Sequence, residues 1–142
     1  MTMTGLRVFD STVQKSDIWL KELMLELNWD DRDRAFSALR AVLHTLRDRL
    51  TVEEAAHVGA QLPMLIRGMF YEDWSPAHKP IKERHRDEFI SAVRSHFRPD
   101  LPIDAEDITR SVFRLLSRKI SEGEIEDVKR MMPQQIRELW EE

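Results

Sequence analysis

Residues 61–74 read QLPMLIRGMFYEDW, and residues 132–140 repeat part of that stretch as MPQQIRELW. Both segments contain a proline, an isoleucine–arginine pair and a later aromatic residue, in one register. Proline has no backbone N–H and suits the first turn of a helix, so each segment predicts a bend followed by a short helix. We therefore expect two related halves, each of which closes with such a helix.

The same register extends well beyond these two segments. Several residues are identical to the residue 70 positions later. These pairs include Arg40 and Arg110, Val42 and Val112, Leu46 and Leu116, Glu54 and Glu124, Val58 and Val128, and Arg67 and Arg137. Because predicted caps, the proline and apolar positions all coincide, the pattern indicates an internal duplication. The alternative is that two amphipathic helical halves match by chance.

Apolar residues recur at helical spacing along the chain, and only four of its 142 residues are glycine. This pattern predicts an all-α fold, a helical bundle of two tandem, similar four-helix repeats. The expected organisation is a flexible N-terminal arm at 1–9, a first repeat at 10–74, a linker at 75–82 and a second repeat at 83–142, in one compact domain. The first helix is expected to begin near Asp10 and Ser11, which are suitable N-caps.

Two helix starts carry a capping-box pattern, TVEE at 51–54 and SEGE at 121–124. In such a box the Thr51 or Ser121 hydroxyl accepts a backbone N–H, and the Glu54 or Glu124 carboxylate bonds back to the cap. Within the fourth helix, Gly68 predicts that another backbone packs closely there.

Composition excludes several classes of protein. The absence of cysteine excludes disulfides and thiolate metal sites. No apolar window is long enough for a membrane span, and residues 1–10 lack an apolar signal core. Neither a membrane span nor a secretory signal is therefore expected, and a cytoplasmic location is predicted. A net charge of −4 argues against a nucleic-acid partner. The basic run near residues 78–98 is interrupted by acidic residues, which is typical of a solvated helix face.

The segments ALRAVLHTLRDRL at 38–50, EEA at 53–55 and QLPMLIRGMFYEDW at 61–74 resemble the bacterial domain of unknown function 2267 family. The second half adds GEI at 123–125 and PQQIRELW at 133–140, so the resemblance covers nearly the whole chain. It implies an all-helical, internally duplicated, soluble bacterial protein. It implies no activity, so no catalytic residue can be carried over from it.

The candidate binding residues are Arg67, Tyr71, Trp74, His44 and Arg47. Arginine beside aromatic residues is typical of an anion or peptide contact, and His44 and Arg47 could line the same groove. The structural alternative is that Arg67, like Arg137, bonds exposed carbonyls or a capping carboxylate and so orients its short helix.

Glu54-x-x-His57 has the spacing that carboxylate di-metal bundles use, and Glu124-x-x-Asp127 stands at the equivalent place in the second half. Both glutamates occupy the third position of a capping box, where the carboxylate is expected to be engaged. Two further inward carboxylates are not identifiable either. No metal or other cofactor is therefore predicted.

These observations favour a non-catalytic module that binds a protein or peptide partner in the groove where the two halves meet. The alternative is a small-molecule or anion-binding protein, or an enzyme, that uses a pocket between the repeats. That pocket would be lined by His44, Arg47, Arg67, Tyr71 and Glu72. The sequence leaves the oligomeric state open.

Overall fold

The computed structural model describes residues 4–141, apart from the His78 side chain, and this part of the chain contains helices and no strand. The helices are α1 (Arg7–Leu27), α2 (Arg32–Arg47), α3 (Val52–Ala60), α4 (Met64–Tyr71), α5 (Arg86–Arg94), α6 (Ala105–Lys119), α7 (Glu122–Met131) and α8 (Gln134–Arg137). Short 3₁₀ turns lie at Pro76–His78 and Glu138–Trp140. The predicted all-α class is confirmed.

Helices α2 and α6 form the centre of the bundle. They pack against each other, and α1 and α5 each lie against both of them. The short helices complete the shell, with α4 on α1 and α2, α8 on α5, and α3 on α7. Most apolar side chains of α2 and α6 are therefore buried, and the largest fully buried ones include Leu39, Leu43, Phe113 and Leu116. None of the helices in residues 4–141 combines the length and apolar character that a membrane crossing requires.

The N-terminus differs from the predicted arm at 1–9, of which residues 1–3 lie outside the described range. Helix α1 begins at Arg7, after Leu6 in extended conformation. Asp10 does not cap it; its carboxylate accepts hydrogen bonds from the Thr4 backbone N–H and hydroxyl, both at 2.9 Å. The preceding residues are thus folded back onto the first turn, which explains why the helix starts earlier than a cap at Asp10 would allow.

The segment between α4 and α5 runs from residue 72 to residue 85 and includes the predicted linker at 75–82. Helix α5 then runs from Arg86 to Arg94. The preceding segment is tied to the first half, because the Ile81 N–H donates to the Asp48 carbonyl at 2.7 Å. Glu83 forms an ion pair with Arg49, which holds it in the linker rather than in a helix.

Both predicted capping boxes form only in part. The Glu54 N–H donates to the Thr51 hydroxyl at 3.1 Å, and the Glu124 N–H donates to the Ser121 hydroxyl at 3.3 Å. Neither glutamate carboxylate bonds back to its cap within residues 4–141. At the second start, the Ser121 N–H instead donates to the Gln61 side chain at 2.8 Å, because the end of α3 lies beside the start of α7.

The expected close approach at Gly68 is wrong, and it occurs at Gly59 instead. A Cβ on Gly68 would have nothing within 4 Å. A Cβ on Gly59 would overlap the Tyr71 hydroxyl and lie 2.7 Å from the ring carbon that bears it. Glycine is therefore required in α3, where the Tyr71 ring crosses the helix.

Alanine substitutions at these two glycines are expected to have opposite effects. Gly68→Ala should stabilise the fold by about 0.5–1 kcal/mol, because alanine favours a helix and meets no obstacle. Gly59→Ala should destabilise it by about 1–3 kcal/mol, because the Tyr71 ring must shift. Urea unfolding followed by circular dichroism measures both. Equal stabilisation by the two substitutions would contradict the packing of Tyr71 on α3.

Candidate functional site

Arg67 fixes the elbow between α3 and α4. Its Nε donates to the Gly59 carbonyl at 2.8 Å, and its Nη2 donates to the carbonyls of Leu62 at 2.8 Å and Ala60 at 3.3 Å. The last carbonyls of a helix have no partner within the helix, and a cationic donor suits the negative end of its dipole. This is the carbonyl-binding role that the sequence left as an alternative. Within residues 4–141, Arg137 makes no equivalent bond.

His44 and Arg47 act on the other end of α4. Arg47 is buried and donates from Nη1 to the carbonyls of Phe70 and Glu72, each at 2.7 Å. The ring nitrogen Nε2 of His44 lies 2.7 Å from the Met69 carbonyl and donates to it. Burial lowers the pKa of His44, against the effect of that bond, and the nearby Arg47 lowers it further.

Tyr71 and Trp74 form an aromatic pair beside α3. Their ring centroids are 5.4 Å apart, and Tyr71 also meets Phe70 edge-on at 5.1 Å. The Tyr71 hydroxyl lies 3.5 Å from the Ala55 carbonyl, at the limit of a hydrogen bond. Both rings pack against the core, so they present little surface to a ligand.

The five residues therefore do not converge on one cavity. His44 and Arg47 share the C-terminal end of α4, while Arg67 bonds the end of α3. Of the five, Arg67 alone lines a groove beside α1, which we call the α1–α4 groove. This groove has a volume of about 510 Å³. It lies between α1 and the elbow, and it is lined by Val8, Ser11, Thr12, Lys15, Ile18, Trp19, residues 60–64, Arg67 and Lys119.

The α1–α4 groove has apolar walls and a cationic rim. Val8, Ile18 and Met64 remain 49%, 48% and 48% exposed, which is a large apolar area for helical residues beside a concavity. The charged residues that line it are Lys15, Arg67 and Lys119. Lys119 pairs with Glu22, whereas Lys15 makes no ion pair within residues 4–141. Local charge is therefore positive, although the whole chain carries −4.

Sequence reasoning missed Val8, Lys15 and Ile18 as groove residues. Val8 falls within the predicted arm at 1–9. Ile18 carried a usable signal, because it is a large β-branched residue next to the buried stripe of α1 but outside it.

A second cluster lies where α3 meets α7. Glu54, His57 and Glu124 each offer a ligand atom, and these atoms lie within 4.8 Å of one another. The His57 Nδ1 is 3.1 Å from Glu54 Oε2, and the His57 side chain is about half exposed. The two glutamates are 5% and 8% exposed. Asp127 points elsewhere and pairs with Arg130.

Burial and the neighbouring Glu54 carboxylate raise the pKa of Glu124 to about 7. Taking a carboxylate out of water disfavours its charged form, and a like charge beside it adds to that cost. His57 acts in the opposite direction but does not cancel these effects. The metal-free protein therefore has a carboxyl that holds a proton near neutral pH at the centre of the α3–α7 contact.

The family model described as an uncharacterized conserved protein, DUF2267, matches residues 16–139, most of the chain. This chain belongs to the DUF2267 family. No curated protein matches it. The DUF2267 match includes Glu54, His57 and Glu124 but leaves out Val8 to Lys15, so the carboxylate cluster lies inside the family region and one wall of the groove extends beyond it.

Replacing Arg47 is expected to lower the free energy of unfolding much more than replacing Arg40 on the same helix. Arg47→Met leaves the buried Phe70 carbonyl and the part-buried Glu72 carbonyl without their donor and should cost about 2–4 kcal/mol. Arg40 forms longer ion pairs with Glu72 and Asp73, at 3.4 and 3.5 Å and with its side chain 34% exposed. Arg40→Met should therefore cost less than about 1 kcal/mol. Urea unfolding measures both, and equal losses would contradict the carbonyl-binding role of Arg47.

The raised pKa of Glu124 predicts that Glu124→Gln stabilises the metal-free protein by an amount that depends on pH. The unfolded carboxyl ionises near 4.5 and the folded one near 7. Wild-type stability should therefore fall as pH rises through this window, whereas the glutamine variant should not follow it. The variant's relative gain should be about 1–3 kcal/mol larger at about pH 8 than at about pH 4.

Thermal unfolding with a chelator present measures this difference. Glu53→Gln on the exposed face of α3 is the matched control and should show no such window. A Glu124→Gln effect that does not change with pH would contradict the buried position of Glu124.

Proposed function

We propose that the protein is a non-catalytic interaction protein whose α1–α4 groove binds an amphipathic, acidic segment of a partner protein. The observation that carries this proposal is the combination of half-exposed apolar side chains with a rim whose charged residues are all cationic. Apolar walls favour apolar anchors, and complementary charge selects partners and steers their approach.

The geometry of the groove supports a peptide as its occupant. One wall is the face of α1 that carries Val8, Lys15 and Ile18, and the other is the elbow at residues 60–64. An amphipathic helix that lies along such a groove places apolar residues one turn apart against the walls. Its carboxylates then lie near Lys15 and Arg67. Arg67 holds the elbow in place and also contributes charge, so it remains a binding residue in this proposal.

His44, Arg47, Tyr71 and Trp74 support the site from a distance. They lie at the C-terminal end of α4, where His44 and Arg47 bond backbone carbonyls, and α4 packs against α1. A substitution among these four should therefore act through the position of α4 and alter stability before it alters binding.

The duplication belongs to the same proposal, with repeats at 10–74 and 83–142. Helices α7 and α8 begin at Glu122 and Gln134, and α3 and α4 begin at the equivalent Val52 and Met64. Contacts between the halves are also reciprocal. Gln61 bonds Ser121, while the equivalent residues Met131 and Thr51 meet with the Thr51 hydroxyl 3.9 Å from the sulfur. Two like units that are related by a twofold axis make reciprocal contacts of this kind. Bacterial origin and a cytoplasmic location stay predictions.

Peptide binding can be tested with a displayed library of random peptides selected on the purified protein. We expect enriched sequences to combine apolar residues at helical spacing with acidic residues. Lys15→Glu and Ile18→Asp should each weaken the selected peptides at least about tenfold, which corresponds to about 1.4 kcal/mol. Leu25→Asp is the matched control, since Leu25 is 81% exposed on α1 but does not line the groove.

Two outcomes would overturn the peptide proposal. One is a selected peptide that binds the Ile18→Asp variant as tightly as the wild type. The other is that no peptide is enriched, while citrate binds the wild type and not Lys15→Glu. This result would favour the small-anion alternative, because anion binding needs only the cationic rim.

A further inference from the structure

The contact between α3 and α7 brings together two glutamates and a histidine from two antiparallel helices. The start of each helix lies beside the end of the other, as the Thr51–Met131 and Gln61–Ser121 contacts show. Glu54 and Glu124 each lie in the first turn of their helix, and their carboxylate oxygens approach to within 4.8 Å of each other across the contact. His57 lies one turn along α3 from Glu54, on the same side of that helix.

Both glutamates have a buried carboxylate oxygen without a hydrogen-bond donor. These atoms are Oε1 of Glu54 and Oε2 of Glu124. Buried polar atoms in folded proteins are nearly always paired, and two carboxylates that face each other out of water repel strongly. A shared proton relieves part of this cost, and a bound cation relieves all of it.

We propose that Glu54, His57 and Glu124 bind one divalent transition-metal ion, with zinc as the best fit. The ligand atoms of these three residues lie within 4.8 Å of one another. Ligand atoms about 2.0–2.2 Å from zinc are roughly 3.5 Å apart in a tetrahedral site. Side-chain movements of about 1 Å therefore close the set around an ion.

The donor set selects the kind of ion. One imidazole and two carboxylates suit zinc, manganese or iron, whereas magnesium and calcium prefer sites made of oxygen alone. Three protein ligands leave a fourth position for water, and the half-exposed His57 marks the side from which water and the ion enter. Among the divalent ions, zinc should bind more tightly than manganese.

A metal at this place would join the two halves of the chain. Glu54 and His57 come from α3 and Glu124 from α7, so the ion would act as a cross-link at their contact. Because the ion binds the folded protein far better than the unfolded chain, it should raise the unfolding temperature in proportion to its free concentration. This role is independent of the α1–α4 groove.

The test uses full-length protein stripped with a chelator and then dialysed into metal-free buffer. Titration calorimetry and elemental analysis with zinc chloride should give one tightly held zinc per chain. The unfolding temperature should rise with zinc, less with manganese, and not with magnesium. Cobalt(II) should give visible absorption bands of a low-coordinate site that contains nitrogen and oxygen ligands.

Variants separate this site from surface binding. Glu124→Gln and His57→Ala should each weaken zinc binding more than tenfold. Glu53→Gln, which removes the same charge from an exposed position of α3, should change it less than about threefold. Glu124→Gln is expected to fold, since it removes a repulsive buried charge, so loss of binding in this variant cannot be attributed to loss of structure.

Either of two results would overturn the proposal. One is zinc binding below one equivalent, or equal binding by Glu53→Gln and Glu124→Gln. The other is no metal binding together with a Glu124→Gln variant that is more stable than the wild type. That result would identify Glu54 and Glu124 as two carboxyls that share a proton. Failure of the peptide-binding test has no bearing on either result.

Discussion

Arginine side chains that bond the carbonyls at chain turns are the interaction on which this bundle depends. Helices α3 and α4 have nine and eight residues, too short to be stable alone, and each ends with carbonyls that lack partners. Arg67 and Arg47 supply those partners. Arg94 does the same for the turn after α5, through the carbonyls of Pro99 and Leu101, and Arg110 binds the carbonyl of Glu141. Guanidinium groups, each with several donors in fixed positions, thus stabilise helices that are too short to be stable alone.

Much of the fold was predictable because it depends on local patterns. Helical spacing gave the all-α class, and the hydroxyls of Thr51 and Ser121 cap α3 and α7 as their motifs indicate. The other half of each capping box was not predictable, because the direction of Glu54 and Glu124 is decided by the helix that faces them. The same holds for glycine, since only tertiary packing shows that Tyr71 crosses α3 at Gly59 and leaves Gly68 open.

The candidate sites show the same division between local and tertiary information. A search for arginine beside aromatic residues selects Arg67, Tyr71 and Trp74, but it cannot show whether a guanidinium faces a ligand or a carbonyl. The α1–α4 groove is assembled from the start of α1, the elbow and the end of α6, which are distant in the sequence. The spacing of Glu54 and His57 was visible from the start, whereas their approach to Glu124 was not.

The reciprocal packing of α3 on α7 has a consequence for symmetry. In a symmetric homodimer, any substitution near the axis appears twice. In a single polypeptide with two similar halves, as we propose here, a substitution on one side of the contact appears once. The present chain has an imidazole at His57 and a carboxylate at the equivalent Asp127, which is turned to Arg130. The two sides of the contact therefore differ in chemistry, with an imidazole beside the buried carboxylates at His57 and none at Asp127.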